Sequence, residues 1–138
     1  MRYCLALGLL ALAASCDSYV GSPTYGTAGG GSVATKLGFV TQPAGAAVNA
    51  TITPSIQVAV QNASGGTVST STANVTISIT PGTGNAGASL NGTTTRAAIN
   101  GVATFNDISV NQIGTNYTLT ATAIGLSNAT SGSFTITP

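Results

Sequence analysis

Ile56, Val58 and Val60 alternate with Gln57, Ala59 and Gln61, and this two-residue period recurs along the chain. Val75, Ile77 and Ile79 alternate with Thr76, Ser78 and Thr80. Tyr117, Leu119, Ala121 and Ala123 alternate with Thr118, Thr120 and Thr122, and Phe134 and Ile136 with Thr135 and Thr137. Successive side chains of a strand point to opposite faces, so each run sets an apolar face against one of Thr and Ser or, in the first run, of Gln and Ala. No stretch of ten or more residues has helical spacing. The expected class is all-β, built from half-buried antiparallel strands with Thr toward water.

Turn residues punctuate the runs. Leu37-Gly38-Phe39-Val40 opens a strand that Pro43 interrupts, Asn62 to Gly66 separates two runs, and Pro81 to Gly87 forms a longer loop. Asn100-Gly101 lies between Ile99 and Val102, and Asn-Gly accepts the positive φ angles of a two-residue hairpin turn. Asn91-Gly92 reads as a second, weaker hairpin. About seven short strands in roughly 100 residues point to a β-sandwich. Its expected core is Phe39, Ile56, Val58, Val60, Val75, Ile77, Ile79, Leu90, Phe105, Leu119, Phe134 and Ile136.

Charge narrows the chemistry. Only 4% of the 138 residues are charged, namely Arg2, Lys36, Arg96, Asp17 and Asp107, and there is no His or Glu. Acid–base catalysis needs a positioned proton carrier, and beyond Asp17 the chain offers only Asp107. Zinc and calcium sites lack their ligand types, and three scattered cations cannot neutralise a phosphate backbone. The chain is therefore expected to have no catalytic, cofactor or metal site and no nucleic-acid partner. Ser and Thr are abundant, but a nucleophile needs an adjacent base. Lys36 alone could activate a Ser, although a solvated lysine where the domain begins is the plainer reading. Asp107 is expected to cap a turn or pair with Lys36 or Arg96.

The first residues read as an address. Met1-Arg2 gives a positive start, and Cys4 to Ala14 is an apolar run followed by Ser15 and Cys16. This is the layout of a secretory signal peptide, too short to span a bilayer stably. Leu12-Ala13-Ala14-Ser15-Cys16 resembles the lipobox of bacterial lipoproteins, with Ala13 where that family most often has Leu. The resemblance implies cleavage before Cys16 and its diacylation. The other reading is an ordinary signal peptide cut after Ala13, leaving Cys16 a free thiol. A Cys4–Cys16 disulfide is not expected, because Cys4 lies in the removed segment. Asp17 hints at inner-membrane retention, as it does in enteric lipoproteins. Residues 17–35 are rich in Gly, Ser and Thr and include Gly29-Gly30-Gly31, a flexible tether with a reach of roughly 25 Å. Its tyrosines, Tyr19 and Tyr25, suggest no specific role.

Residues 36–138 resemble the bacterial immunoglobulin-like repeats of invasin/intimin-type adhesins. The resemblance is carried by Lys36-Leu37-Gly38-Phe39-Val40-Thr41-Gln42-Pro43, Ile56 to Asn62, Asn100 to Ile108, and Tyr117 to Ala121. It implies an architectural module, here in one copy. By this likeness Tyr117 either forms the tyrosine corner, its hydroxyl bonding back to nearby backbone, or sits at the core edge without that bond. The inter-sheet disulfide of antibody domains has no cysteine pair in 36–138.

The domain organisation that follows is a signal peptide at 1–15, a lipidated Cys16 with a tether at 16–35, and an Ig-like β-sandwich at 36–138. Function is expected to be structural or adhesive, in a lipoprotein exported to the bacterial cell envelope and anchored at its inner or outer membrane. The implied partners are the membrane through its lipid anchor, and another envelope or surface protein or a glycan. The alternative is a carbohydrate-binding module, for which the domain offers few aromatics, most of them placed inward by alternation. Six Asn-x-Ser/Thr triplets, at Asn49, Asn62, Asn74, Asn91, Asn116 and Asn128, read mainly as turn and strand-face composition. Without Arg2 the remaining side chains sum to zero charge, which predicts self-association of a free soluble fragment. Few charges guard the strand edges, leaving them open to a partner strand.

Overall fold

β-Branched residues at every second position stiffen the backbone into extended chain, and the computed structural model places these runs in strands. It describes residues 32–138. The segment expected to be a signal peptide at 1–15, Cys16 and the expected tether up to residue 31 lie outside the described residues. The strands are β1 (Lys36–Thr41), β2 (Ala46–Ala47), β3 (Ile56–Gln61), β4 (Asn74–Ile79), β5 (Leu90–Asn91) and β6 (Thr95–Ala97). They continue as β7 (Val102–Phe105), β8 (Ser109–Val110), β9 (Gly114–Tyr117), β10 (Leu119–Thr122), β11 (Ala129–Thr130) and β12 (Phe134–Thr137).

One sheet has the order β1-β3-β7, with Phe39 opposite Val58 and Ile56 opposite Phe105. The other runs β11-β10-β4-β6, with Leu119 opposite Ile79 and Ala121 opposite Ile77. β9 and β12 extend the second sheet beyond breaks at Thr118 and at residues 131–133 and carry β2 on their edge. Counting β1/β2, β9/β10 and β11/β12 each as one interrupted strand, and setting aside the two-residue strands β5 and β8, gives seven strands, and the fold is an Ig-like antiparallel β-sandwich. β2 is the exception in direction: it pairs parallel to β12, Ala46 opposite Ile136 and Ala47 opposite Thr137.

The inward faces form one apolar cluster. Ile56, Val58, Val60, Val75, Ile77, Phe105, Leu119, Phe134 and Ile136 are buried, as alternation requires. Phe39, Ile79 and Leu90 are only partly buried and pack against that cluster. On β1 the buried residue is Leu37, and the register shifts between Phe39 and Thr41. Ile52, Ile108 and Val110 complete the core from segments without alternation. They meet where β5 pairs with β8, Leu90 opposite Val110, while Asn49 N–H donates to Val110 O at 2.8 Å and Ile52 N–H to Ile108 O at 2.8 Å.

The Asn100-Gly101 turn is a two-residue hairpin. Ile99 and Val102 exchange N–H···O bonds of 2.9 and 3.0 Å, and φ is 52° at Asn100 and 80° at Gly101. The strands it joins belong to different sheets: β6 pairs with β4 and β7 with β3, so the turn hands the chain across the sandwich. Asn91-Gly92 is not a hairpin turn. Asn91 lies opposite Ser109 instead of a residue just beyond Gly92, because the chain there leaves the β5–β8 ribbon to reach β6.

Candidate interaction surface

Thr and Gln on the outer faces bond to one another across the strands. On the β11-β10-β4-β6 sheet, Thr76 Oγ1 and Thr95 Oγ1 are 2.7 Å apart, and Thr80 Oγ1 and Thr120 Oγ1 are 2.8 Å apart. On the other sheet Thr41 donates to Gln57 Oε1 at 3.1 Å, and Gln57 Nε2 reaches Thr104 Oγ1 at 3.5 Å. Cross-strand hydroxyl pairs stabilise a sheet by a few tenths to about 1 kcal/mol each. They also give it a wettable surface that carries no charge.

Of the three charged side chains among the described residues, Arg96 and Asp107 meet. Arg96 stands opposite Val75, in the inward register of β6, an edge strand of its sheet. Its guanidinium reaches past the end of β7, where Nη2 lies 3.2 Å from Asp107 Oδ2 and 3.1 Å from Asn106 Oδ1. The same Asp107 oxygen accepts the Thr93 hydroxyl at 2.7 Å and the Thr93 N–H at 3.1 Å. The Thr93 hydroxyl is the largest influence holding the Asp107 carboxyl below its ordinary range; partial burial opposes it, and the Thr93 amide and Arg96 reinforce it. Asp107 thus pairs with Arg96, one of the two partners expected of it, and not with Lys36, while its bonds to Thr93 join two segments distant in sequence. Alternation did not reveal Thr93 and Asn106 as its partners, since both lie in irregular segments. An inward-pointing charge on an edge strand is a recognised guard against pairing with another chain, so the edge of β6 is protected where few edge charges had been expected.

Tyr117 forms the tyrosine corner. Its hydroxyl donates to Gln112 O at 3.0 Å, five residues upstream, and its ring stacks on Phe134 with centroids 5.8 Å apart. The Pro81–Gly87 loop folds over the other side. Thr83 Oγ1 donates to Thr80 O at 2.7 Å and accepts Thr118 N–H at 3.2 Å, while Asn85 Nδ2 donates to Ile113 O at 3.3 Å. Gly84, at φ 68°, rests so closely on the ring that a Cβ there would overlap its carbons.

Among the described residues, no three His, Cys, Asp or Glu side chains lie together, and no helix is long and apolar enough to cross a membrane. Phe105 and Tyr117 are fully buried, Phe134 nearly so, and Phe39 is half-buried, so no aromatic platform faces solvent there. The exposed apolar side chains, Val33, Val40, Ile99, Ile113 and Ile124, fall on separate strands and loops. The six sequon asparagines have local roles in part: Asn49 and Asn116 take positive φ (63° and 60°), and Asn62 Oδ1 accepts Gly66 N–H at 2.9 Å. Cys16, the residue expected to carry lipid, lies outside the described residues.

No family model and no curated protein matches the chain. Among solved structures it is similar to a β-glucuronidase of Parabacteroides merdae, solved with glycerol in the active site, at 18% identity and a TM-score of 0.46. The match covers 82% of this chain and 13% of that enzyme, so the chain spans only a small part of the enzyme's length.

Proposed function

We propose that the chain is an exported lipoprotein, acylated at Cys16, that holds a single Ig-like module at a membrane of the cell envelope and serves there as a structural or adhesive element without catalysis. The observation that carries this reading is Cys16 directly after Leu12-Ala13-Ala14-Ser15, at the end of the apolar run from Cys4 to Ala14. A lone Cys in an exported chain is otherwise an exposed thiol open to oxidation, and acylation gives it a purpose. The anchor supplies location, the Gly-rich segment reach, and the sandwich a surface for a partner. Mass spectrometry of the mature N-terminus tests it, with Cys16→Ala as control. A diacylated Cys16 is expected; an unmodified terminus at Ala14 overturns the reading. Among the described residues no exposed aromatic platform favours the carbohydrate-binding alternative.

A further inference from the structure

We propose that the sandwich is built to carry load in shear between its two ends. The first strand, β1 continuing into β2, is bonded parallel to the last, β11/β12, at both extremities. At the start, Leu37 N–H donates to Ser127 O at 2.9 Å and Ser127 N–H to Thr35 O at 2.9 Å, and Lys36 forms a parallel bridge with Ser127. Near the finish, Ala46 and Ala47 pair with Ile136 and Thr137, and Val48 N–H donates to Thr137 O at 2.8 Å. Parallel neighbours run the same way, so residue 33 leaves at one pole of the sandwich and residue 138 at the other.

A pull applied between these residues drags the first strand toward one pole and the last toward the other. The bonds joining them lie across that motion and are strained together, and none can open until the strands slide. β1 is held on its other side as well, by antiparallel pairing with β3 from Lys36–Gln61 to Thr41–Gln57, and this ladder is also sheared. Pulling β1 against the loop after β3 is a different process. Residues 32 and 64 lie at the same pole, because Lys36 sits opposite Gln61, so the β1–β3 bonds would open one at a time from that end. Forced rupture follows the unfolding barrier for the direction pulled, and only the first direction has to break the whole set at once.

This deepens the anchored-module reading and rests on it for the place where load enters. Acylation and shear resistance are measured separately, so either can fail without the other. The experiment is single-molecule pulling on the full chain, with handles coupled at Ser32 and Pro138 in one geometry and at Ser32 and Ser64 in the other. The end-to-end geometry is expected to unfold at a several-fold higher force at equal loading rate. Val48→Pro removes the Val48 N–H bond to Thr137 and is expected to lower the end-to-end force while leaving the Ser32–Ser64 force unchanged. Equal forces in the two wild-type geometries overturn the proposal, whether or not the Val48→Pro variant folds.

Discussion

Gly84→Ala tests whether the Pro81–Gly87 loop and the tyrosine corner form one packed unit. Two separate costs are expected. The first is conformational: Gly84 has φ 68°, and a residue with a Cβ loses about 1 kcal/mol there relative to glycine. The second is steric: the new methyl falls on the ring of Tyr117, which is fully buried and held by Gln112 and Phe134. Either the ring moves within a close-packed core, at about 1–3 kcal/mol, or the loop lifts and gives up its bonds between Thr83 and residues 80 and 118. The expected total is about 3 kcal/mol. Gly82 and Gly87 provide the comparison, with φ of 83° and 87° and open space where a Cβ would stand, so their alanine variants bear the first cost alone, about 1 kcal/mol.

Urea denaturation followed by tyrosine emission and far-ultraviolet circular dichroism measures the three variants side by side. For a domain of this size the Gly84→Ala loss corresponds to a fall in Tm of roughly 12–24 °C, against roughly 4–8 °C for either control. Combining Gly84→Ala with Tyr117→Leu removes the ring and should return the cost of the alanine to that of the controls. A Gly84→Ala cost no greater than that of Gly82→Ala, or one unchanged in the Tyr117→Leu background, refutes the packing of the loop on the ring.

Tyr117→Phe is predicted to cost about 1 kcal/mol in the same denaturation assay, because Gln112 O loses its donor while the ring packing is kept; a variant as stable as wild type contradicts the corner bond. The folded-state pKa of Asp107 is depressed, so its contribution to stability is present above the ordinary carboxylate value and is lost as pH falls through the folded value. A stability profile that declines only below about pH 4, and that Asp107→Asn flattens, is the expected result; an unchanged acid limb in the variant rejects it. Arg96→Leu replaces the inward charge of the β6 edge with an apolar group and should raise light scattering at high protein concentration, while Arg96→Lys should not. Scattering equal to wild type in Arg96→Leu denies Arg96 its guarding role.

What could be read from the residues depended on periodicity. Where apolar residues recur at every second position, as in Ile56–Gln61, Val75–Ile79 and Phe134–Thr137, the strands are as expected, and so is the buried face of Phe134–Thr137, whereas Ala59 is buried on the opposite face of its strand and Ile79 is only partly buried. Ile52, Ile108 and Val110 are as deeply buried, yet they belong to short irregular segments whose pairing with one another depends on chain reversals about 60 residues apart. Local pattern carries no information on such contacts. Asn100-Gly101 was legible as a turn because the dipeptide encodes its own backbone geometry. That its flanking strands lie in different sheets was not, because strand partners are set by the remainder of the sandwich. The same limit applies to Asp107: its poverty of alternatives marked it as a capping or pairing residue, but Thr93 and Asn106 come near it only through the β5–β8 ribbon and the end of β7.

The scarcity of charge acquires a structural sense from this arrangement. Among the described residues Lys36 and Arg96 face a single acid, and Arg96 and Asp107 are spent on each other, their side chains 34% and 41% exposed. A pair so open to water is weakened by dissolved salt and adds little to stability. The sandwich is instead held by its apolar cluster, its backbone ladders and the Thr–Thr and Thr–Gln bonds across its outer faces, none of which depends on ionisation between the carboxylate and lysine ranges. Hydroxyls and amides hydrate a surface without attracting counter-ions, so salt and pH alter few of the contacts that hold the domain. That indifference to salt and pH is a physical property that a surface laced with ion pairs would lack.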